Sequence, residues 1–240
     1  MKEYEVYSPL KVPKNSKIIL RLDGRAFHKL AHDLELDKPY DENFYKVIAR
    51  VCEDLFKEFS PLFVYTFSDE ISILLDRVPF EGRVEKINSI FASFTSSSFV
   101  MHYNIEFKKP PAFDSRIIPI NENDILKYFK WRQDESWRNC VNSHGVSYLK
   151  SKYSNSEAND KINGMKLNEI HELLFQNGIN LNNVKTYKKR GIAIYRKVKK
   201  IEGFNKKENK KQISYRSHVF TDWELPIFNE TFFKNIDVIK

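Results

Sequence analysis

At 240 residues, with 41% hydrophobic and 30% charged side chains, the chain has the composition of an ordinary soluble protein and enough length to bury a core of enzyme size. No apolar stretch approaches a membrane span, Met1 to Ser16 lacks a signal-peptide core, and Cys52 and Cys140 have neither disulfide-framework nor zinc-site spacing, so a cytoplasmic protein with buried thiols is expected. The net charge of +8 is concentrated: Lys185 to Arg216 holds thirteen Lys and Arg against Glu202 and Glu208, a net of +11 against −3 elsewhere, which is the footprint of a polyanion partner such as nucleic acid.

After an arm to which no chemistry is assigned, Ile18, Ile19, Leu20 and Leu22 predict a mostly buried strand interrupted only by Arg21, with Asp23 where the strand stops. Gly24 permits a sharp turn, and Arg25 to Leu30 can open a helix whose free N–H groups point back toward Asp23, a corner that suits a phosphate and its metal ion. Ala31 to Tyr40 reads as a loop carrying Lys38. Asp41 then caps a helix in which Phe44, Val47, Ile48, Val51, Leu55 and Phe59 recur at helical spacing.

Leu62 to Asp76 holds two short apolar runs around Ser68-Asp69-Glu70, and their spacing predicts a hairpin with the acids at its tip. Asp23 and Asp69 converge if this hairpin pairs beside the first strand. Two carboxylates held together without a basic partner call for a divalent cation, and hard oxygen ligands favour magnesium. Another helix is expected over Arg83 to Met101, with Arg83 and Lys86 in its first turn, and a last short strand over Ser115 to Ile120. Strand, helix, strand, strand, helix, strand is the split βαβ order, so the fold class is α+β with a ferredoxin-like, polymerase-palm-like sheet. Palms, nucleotide cyclases and RNA-binding sheets share it.

In the second half, Asn123 or Asp124 can cap a long helix, SKYSNSEAND reads as a polar loop, and Met165 to Gln176 forms a helix closed by Asn177-Gly178. Gly191 to Val198 and Gln212 to Phe220 read as strands joined by a basic turn, Lys199 to Lys211. One catalytic body over 1–240 is expected, with a core at about 17–120 and a helical part with a protruding basic hairpin from about 121.

RLDGRAFH at Arg21 to His28, Lys38-Pro39, FSDE at Phe67 to Glu70, PPAFDSR at Pro110 to Arg116, YFKWRQ at Tyr128 to Gln133 and KKRGIAIYRK at Lys188 to Lys197 lie collinearly along nearly the whole chain. In these motifs the chain resembles the tRNA-histidine guanylyltransferase family, including its template-dependent tRNA 5′-end repair members. The resemblance implies a 3′–5′ nucleotidyltransferase. A nucleoside triphosphate, ATP or GTP, activates the RNA 5′ phosphate, and the 3′-hydroxyl of an incoming nucleotide then attacks it. It further implies two magnesium ions on Asp23, Asp69 and the carbonyl of Gly24, with Glu70 a possible catalytic acid. The triphosphate would lie on Gly24, Arg25, Ala26, Phe27, His28 and Ser68, its charge offset by Lys38, Arg83 and Lys86. tRNA would meet Lys188, Lys189, Arg190, Arg196, Lys206, Lys207, Lys210 and Lys211, and a homo-oligomer, dimer or tetramer, is implied.

Where the histidine-tRNA enzymes carry His-Ile-Asn-Asn-Leu-Tyr-Asn, this chain reads Trp137 to Ser143 with only Asn139 retained, which turns the expectation toward template-dependent repair. Histidine-tRNA-specific guanylate addition is the alternative. A cyclase would have little use for the basic segment, and a non-catalytic RNA-binding sheet would not need acids at strand ends.

Overall fold

The computed structural model describes residues 1–13, 16–205 and 210–239. Strand β1 (Lys17–Gly24) leads through helix α1 (Phe27–Asp33) into α2 (Glu42–Phe59), the hairpin β2 (Phe63–Phe67) and β3 (Glu70–Leu75), then α3 (Val84–Tyr103) and β4 (Phe113–Ile120). Helices α4 (Ile125–Lys150), α5 (Asn155–Asn163), α6 (Leu167–Gln176) and α7 (Thr186–Arg190) follow, then strands β5 (Ile192–Asn205) and β6 (Lys210–Asp222) and helix α8 (Glu230–Asn235). The sheet is antiparallel throughout, in the order β4-β1-β3-β2-β5-β6. Its first four strands have the ferredoxin-like arrangement expected.

Both faces of the central strands are covered, which is why β1 is an almost unbroken apolar run. Ile18, Leu20 and Leu22 join Ile71, Ile73 and Leu75 of β3 in a core beneath α2 and α3. Ile19 and Leu74 face the other way, against Phe129 of α4 and the C-terminal Leu225, Phe228 and Phe233. Each such buried side chain contributes about 1.5–3 kcal/mol of transfer free energy. Asp41 caps α2 as its position suggests, accepting the Phe44 N–H at 2.7 Å.

Two expectations are corrected, on SKYSNSEAND and on the length of the basic turn. The polar stretch SKYSNSEAND is not all loop: Ser154 and Glu157 form a reciprocal capping box that starts α5, a Ser-x-x-Glu signal legible in the sequence. The base of the basic hairpin is part of the main sheet, because Ile192 to Tyr195 pair with Thr66 to Phe63. Lys199 to Asn205 and Lys210 to Lys211 continue the strands beyond the expected ends, so the ribbon is longer and the turn shorter than expected. Lys206 and Lys207, named as tRNA contacts, lie outside the described residues.

Candidate active site

The corner at Asp23 is built by strand register. Asp23 stands directly opposite Glu70, the first residue of β3, while Ser68 and Asp69 form the turn before it. Ser68 takes a left-handed φ of 50° and donates its hydroxyl to Asp69 Oδ1 at 2.9 Å. The tight turn therefore holds the Asp69 carboxylate in place. Burial pushes its pKa up; the Ser68 bond and the Asp69 backbone N–H oppose this, and the negative charge of Asp23 raises it further. The two acids do converge. Among the described residues, neither makes a salt bridge, and no group of three or more His, Cys, Asp and Glu that could hold a metal ion occurs.

Gly24 ends β1 opposite Phe113 rather than forming the turn; a Cβ there would overlap the Phe27 ring, and the left-handed residue is Ala26, at φ 57°. The expected N–H cradle is smaller than Gly24 to His28. Arg25 donates its N–H to Ala112 O at 2.8 Å, whereas Ala26, Phe27 and His28 line a cavity of about 670 Å³. Gly24, Ser68, Asp69 and Lys38 line the same cavity, whereas Arg25 does not. Arg83 and Lys86 line no part of it. They open α3, which begins after β3 has run the length of the sheet away from Asp69, and Lys86 rests over the Phe80 ring at 5.4 Å.

Glu70 does not turn away from Asp23, since cross-strand partners share a face. Its two oxygens are nonetheless both taken by Arg132 of α4, at 2.7 Å each, in a pair whose side chains are 13% and 7% exposed. Burial raises the Glu70 pKa against the Arg132 charge and hydrogen bonds. The guanidinium also stacks on Trp131, at 4.2 Å to the ring centroid. The next residue, Gln133, accepts Phe228 N–H at 2.7 Å and donates to Pro226 O at 3.0 Å, so the WRQ motif ties the hairpin tip and the C-terminal segment to one helix.

The basic residues divide. Lys189 Nζ donates to Asn182 O at 2.8 Å and Arg190 Nη1 to Leu225 O at 3.1 Å, binding segments of their own chain. Lys188 lies over the Tyr40 ring at the cavity wall, 5.8 Å from its centroid. Arg196 is exposed and covers Phe56 at 5.5 Å. On the ribbon's other face, Lys197 pairs with His218 and Lys199 with Arg216, all exposed. Lys210 and Lys211 are placed by backbone alone, in β6.

Sequence reasoning missed the other wall. Asn139, Asn142, Ser143, Ser147 and Lys150 of α4 all line the cavity; their spacing of three, one, four and three residues is one face of a helix and was the available signal. Behind them Cys140 is buried, its thiol pushed up to about 11 and held protonated at neutral pH.

The family described as tRNAHis guanylyltransferase matches residues 1–121, and the Thg1 C terminal domain matches residues 123–239. The tRNA(His) guanylyltransferase of Debaryomyces hansenii is 30% identical over 235 residues, covering 90% of this chain and 88% of that one. The probable tRNA(His) guanylyltransferase of Dictyostelium discoideum is 33% identical over 197 residues, 77% of each chain. A bacterial tRNA(HIS) guanylyltransferase (Thg1)-like protein solved in complex with ATP superimposes with a TM-score of 0.77 at 25% identity, covering 100% of this chain and 97% of that one. A bacterial protein of the same description, solved with GTP, gives 0.70 at 27% identity, covering 95% and 91%.

Proposed function

The chain belongs to the tRNAHis guanylyltransferase family, and from that premise we propose that it adds guanylate to the 5′ end of tRNA by 3′–5′ nucleotidyl transfer at the Asp23–Asp69 corner. The observation that carries this is the half-buried Asp69 carboxylate on the cavity wall, its pKa raised first by desolvation and then by the neighbouring charge of Asp23. Such a pair fits a divalent cation and is costly without one. Asp23, Asp69 and the Gly24 carbonyl would hold magnesium, which when bound neutralises charge developing on the phosphates.

The chain's own groups do the rest. Ser68 and the N–H groups of Ala26, Phe27 and His28 orient the triphosphate, and Lys38 offsets its charge. The RNA 5′ phosphate is activated by a nucleoside triphosphate, for which ATP and GTP are both candidates because neighbours were solved with each. The 3′-hydroxyl of the incoming nucleotide then attacks that phosphate, a transfer that needs alignment and charge neutralisation more than covalent help from the protein. Phosphates of the tRNA meet the cationic ribbon face.

The relatives' shared description puts guanylate addition ahead of the general repair expected from Trp137 to Ser143. Template-directed repair stands as a second reading because that stretch departs from the family's histidine-tRNA pattern. Labelled-nucleotide incorporation into tRNA-histidine, and into 5′-truncated tRNAs whose opposing base is varied, tests both. Guanylate added regardless of the opposing base supports the first reading; incorporation that follows the opposing base supports the second. No incorporation of any nucleotide with magnesium present would overturn both.

A further inference from the structure

Two substrates must meet at the Asp23–Asp69 corner, and it can be approached from two sides. Ser68 and Asp69 line the cavity, whereas Asp23 and Arg21 do not. Side chains alternate along a strand, so Arg21 and Asp23 follow Ile19 on the face of β1 that α4 packs against. Helix α4 covers only part of that face. Its Tyr128 meets Ser72 of β3 at 3.0 Å and its Arg132 binds Glu70 of β3, while Arg116 and Asp114 of the edge strand β4, the cross-strand partners of Arg21 and Asp23, are exposed. An open shelf thus runs over β1 and β4 up to Asp23.

Trp131 stands beside this shelf and is 50% exposed, although Tyr128 and Arg132 of the same helix are buried. The Arg132 guanidinium stacks on the indole at 4.2 Å, Tyr128 meets it edge-on with 5.8 Å between centroids, and the Arg21 guanidinium stands 5.7 Å from its centroid. Arg132 is held by Glu70 and Tyr128 by Ser72, so groups fixed to the sheet hold the ring out to solvent. Arg21 is half-buried and lies two residues back from Asp23, about 7 Å along the strand. Among the described residues its guanidinium makes no salt bridge and no side-chain hydrogen bond, whereas Arg116 is bound to Asp114 at 3.1 Å.

A fixed, exposed indole and an unpaired guanidinium beside the acid of the corner match a nucleotide at the end of an RNA chain. Every base offers a face for stacking, and a phosphate is an anion that such a guanidinium takes. A protein partner would call for a continuous apolar patch, but the shelf around Trp131 carries Arg21, Arg116 and Asp114. We propose that Trp131 stacks on the 5′-terminal base of the RNA and Arg21 takes the adjoining phosphate, so that the RNA enters over the shelf toward Asp23 while the nucleoside triphosphate enters through the cavity toward Asp69. The proposal rests on the nucleotidyl-transfer reading of the corner and assigns its two substrates to different sides.

Filter binding of the full chain to a 5′-phosphorylated tRNA transcript, and to the same transcript with an abasic 5′-terminal residue, tests it in wild type, Trp131→Ala, Trp131→Phe and Arg21→Gln. Wild type should bind the abasic RNA about fivefold to a hundredfold more weakly, the range of one base stacked on an aromatic ring. Trp131→Ala should lose the same factor on the intact RNA and no longer distinguish the two, whereas Trp131→Phe should still distinguish them. Arg21→Gln should weaken both alike and flatten the slope of log affinity against log salt by about 0.7–0.9, the mark of one phosphate contact. GTP affinity, measured by equilibrium dialysis, should stay unchanged in all three variants. Equal wild-type affinity for the two RNAs, a Trp131→Ala loss as large on the abasic RNA as on the intact one, or a matching loss of GTP affinity would overturn the proposal. Base-dependent binding through Trp131 in a protein that adds no nucleotide would overturn the reaction and keep the inference; nucleotide addition without such binding would do the reverse.

Discussion

Two hairpins of one sheet have been put to opposite uses. The β2–β3 hairpin is buried on both faces, with every residue of β2 inside, and its tip holds two half-buried acids. Beyond Tyr195 the β5–β6 ribbon leaves the body, and its side chains from Arg196 to Lys200 and from Ile213 to Val219 are exposed. The backbone pairing is the same in both. Burial decides the rest: a half-buried carboxylate is perturbed and calls for a counter-charge, whereas a lysine in water keeps its charge and meets a polyanion in a salt-dependent way.

The largest expected effect is at the buried tip. Asp69→Ala or Asp23→Ala should lower nucleotide incorporation by about a hundredfold or more, with circular dichroism unchanged, because each removes a charge that positions a cation and no packing group. Near-normal turnover in either variant would break the contrast between the hairpins. Glu70 sharpens it from the other side. Glu70→Ala leaves Arg132 buried without its counter-charge and should cost about 3–5 kcal/mol of stability in urea unfolding. Glu70→Leu combined with Arg132→Leu should recover most of it; if the double variant is no more stable than the single, the pair is not what holds α4 to the tip.

At the exposed ribbon the expected loss is gradual. Replacing Lys197, Lys199 and Arg216 with Gln should weaken tRNA binding and flatten the slope of log affinity against log salt by roughly 0.7–0.9 for each phosphate that is no longer neutralised. An unchanged slope would mean that the cationic face is only solvated. The smallest effect concerns stability without metal. Because the folded-state pKa of Asp69 is raised, its protonated form adds stability fully below the ordinary carboxylate range, and this is lost as pH rises through the raised value. Metal-free Asp69→Asn should therefore melt above wild type at neutral pH, with the gap closing as pH is lowered. A lower melting temperature for the variant at pH 7 would contradict that sign.

The parts legible in the sequence are those in which a few neighbouring residues determine the outcome. β1 ends at the acid its apolar run implied, Asp41 caps α2, and the spacing around Ser68 allowed only a hairpin whose register brings Asp69 to Asp23. Ser154 and Glu157 carry an equally local signal, masked by the polar composition of the stretch around them. What tertiary structure alone decided involves partners far apart in the chain. Glu70 is committed by Arg132, sixty-two positions away; Arg83 and Lys86 are kept from the cavity by the direction of β3; and β5 joins the sheet through β2. In the same way, the polar face of α4 becomes a cavity wall only because the opposing α1 and its following loop are brought beside it. Local propensities act over a few residues, but the packing that sets the ionisation of Asp69 and brings Trp131 beside Arg21 is settled only when elements distant in sequence come together.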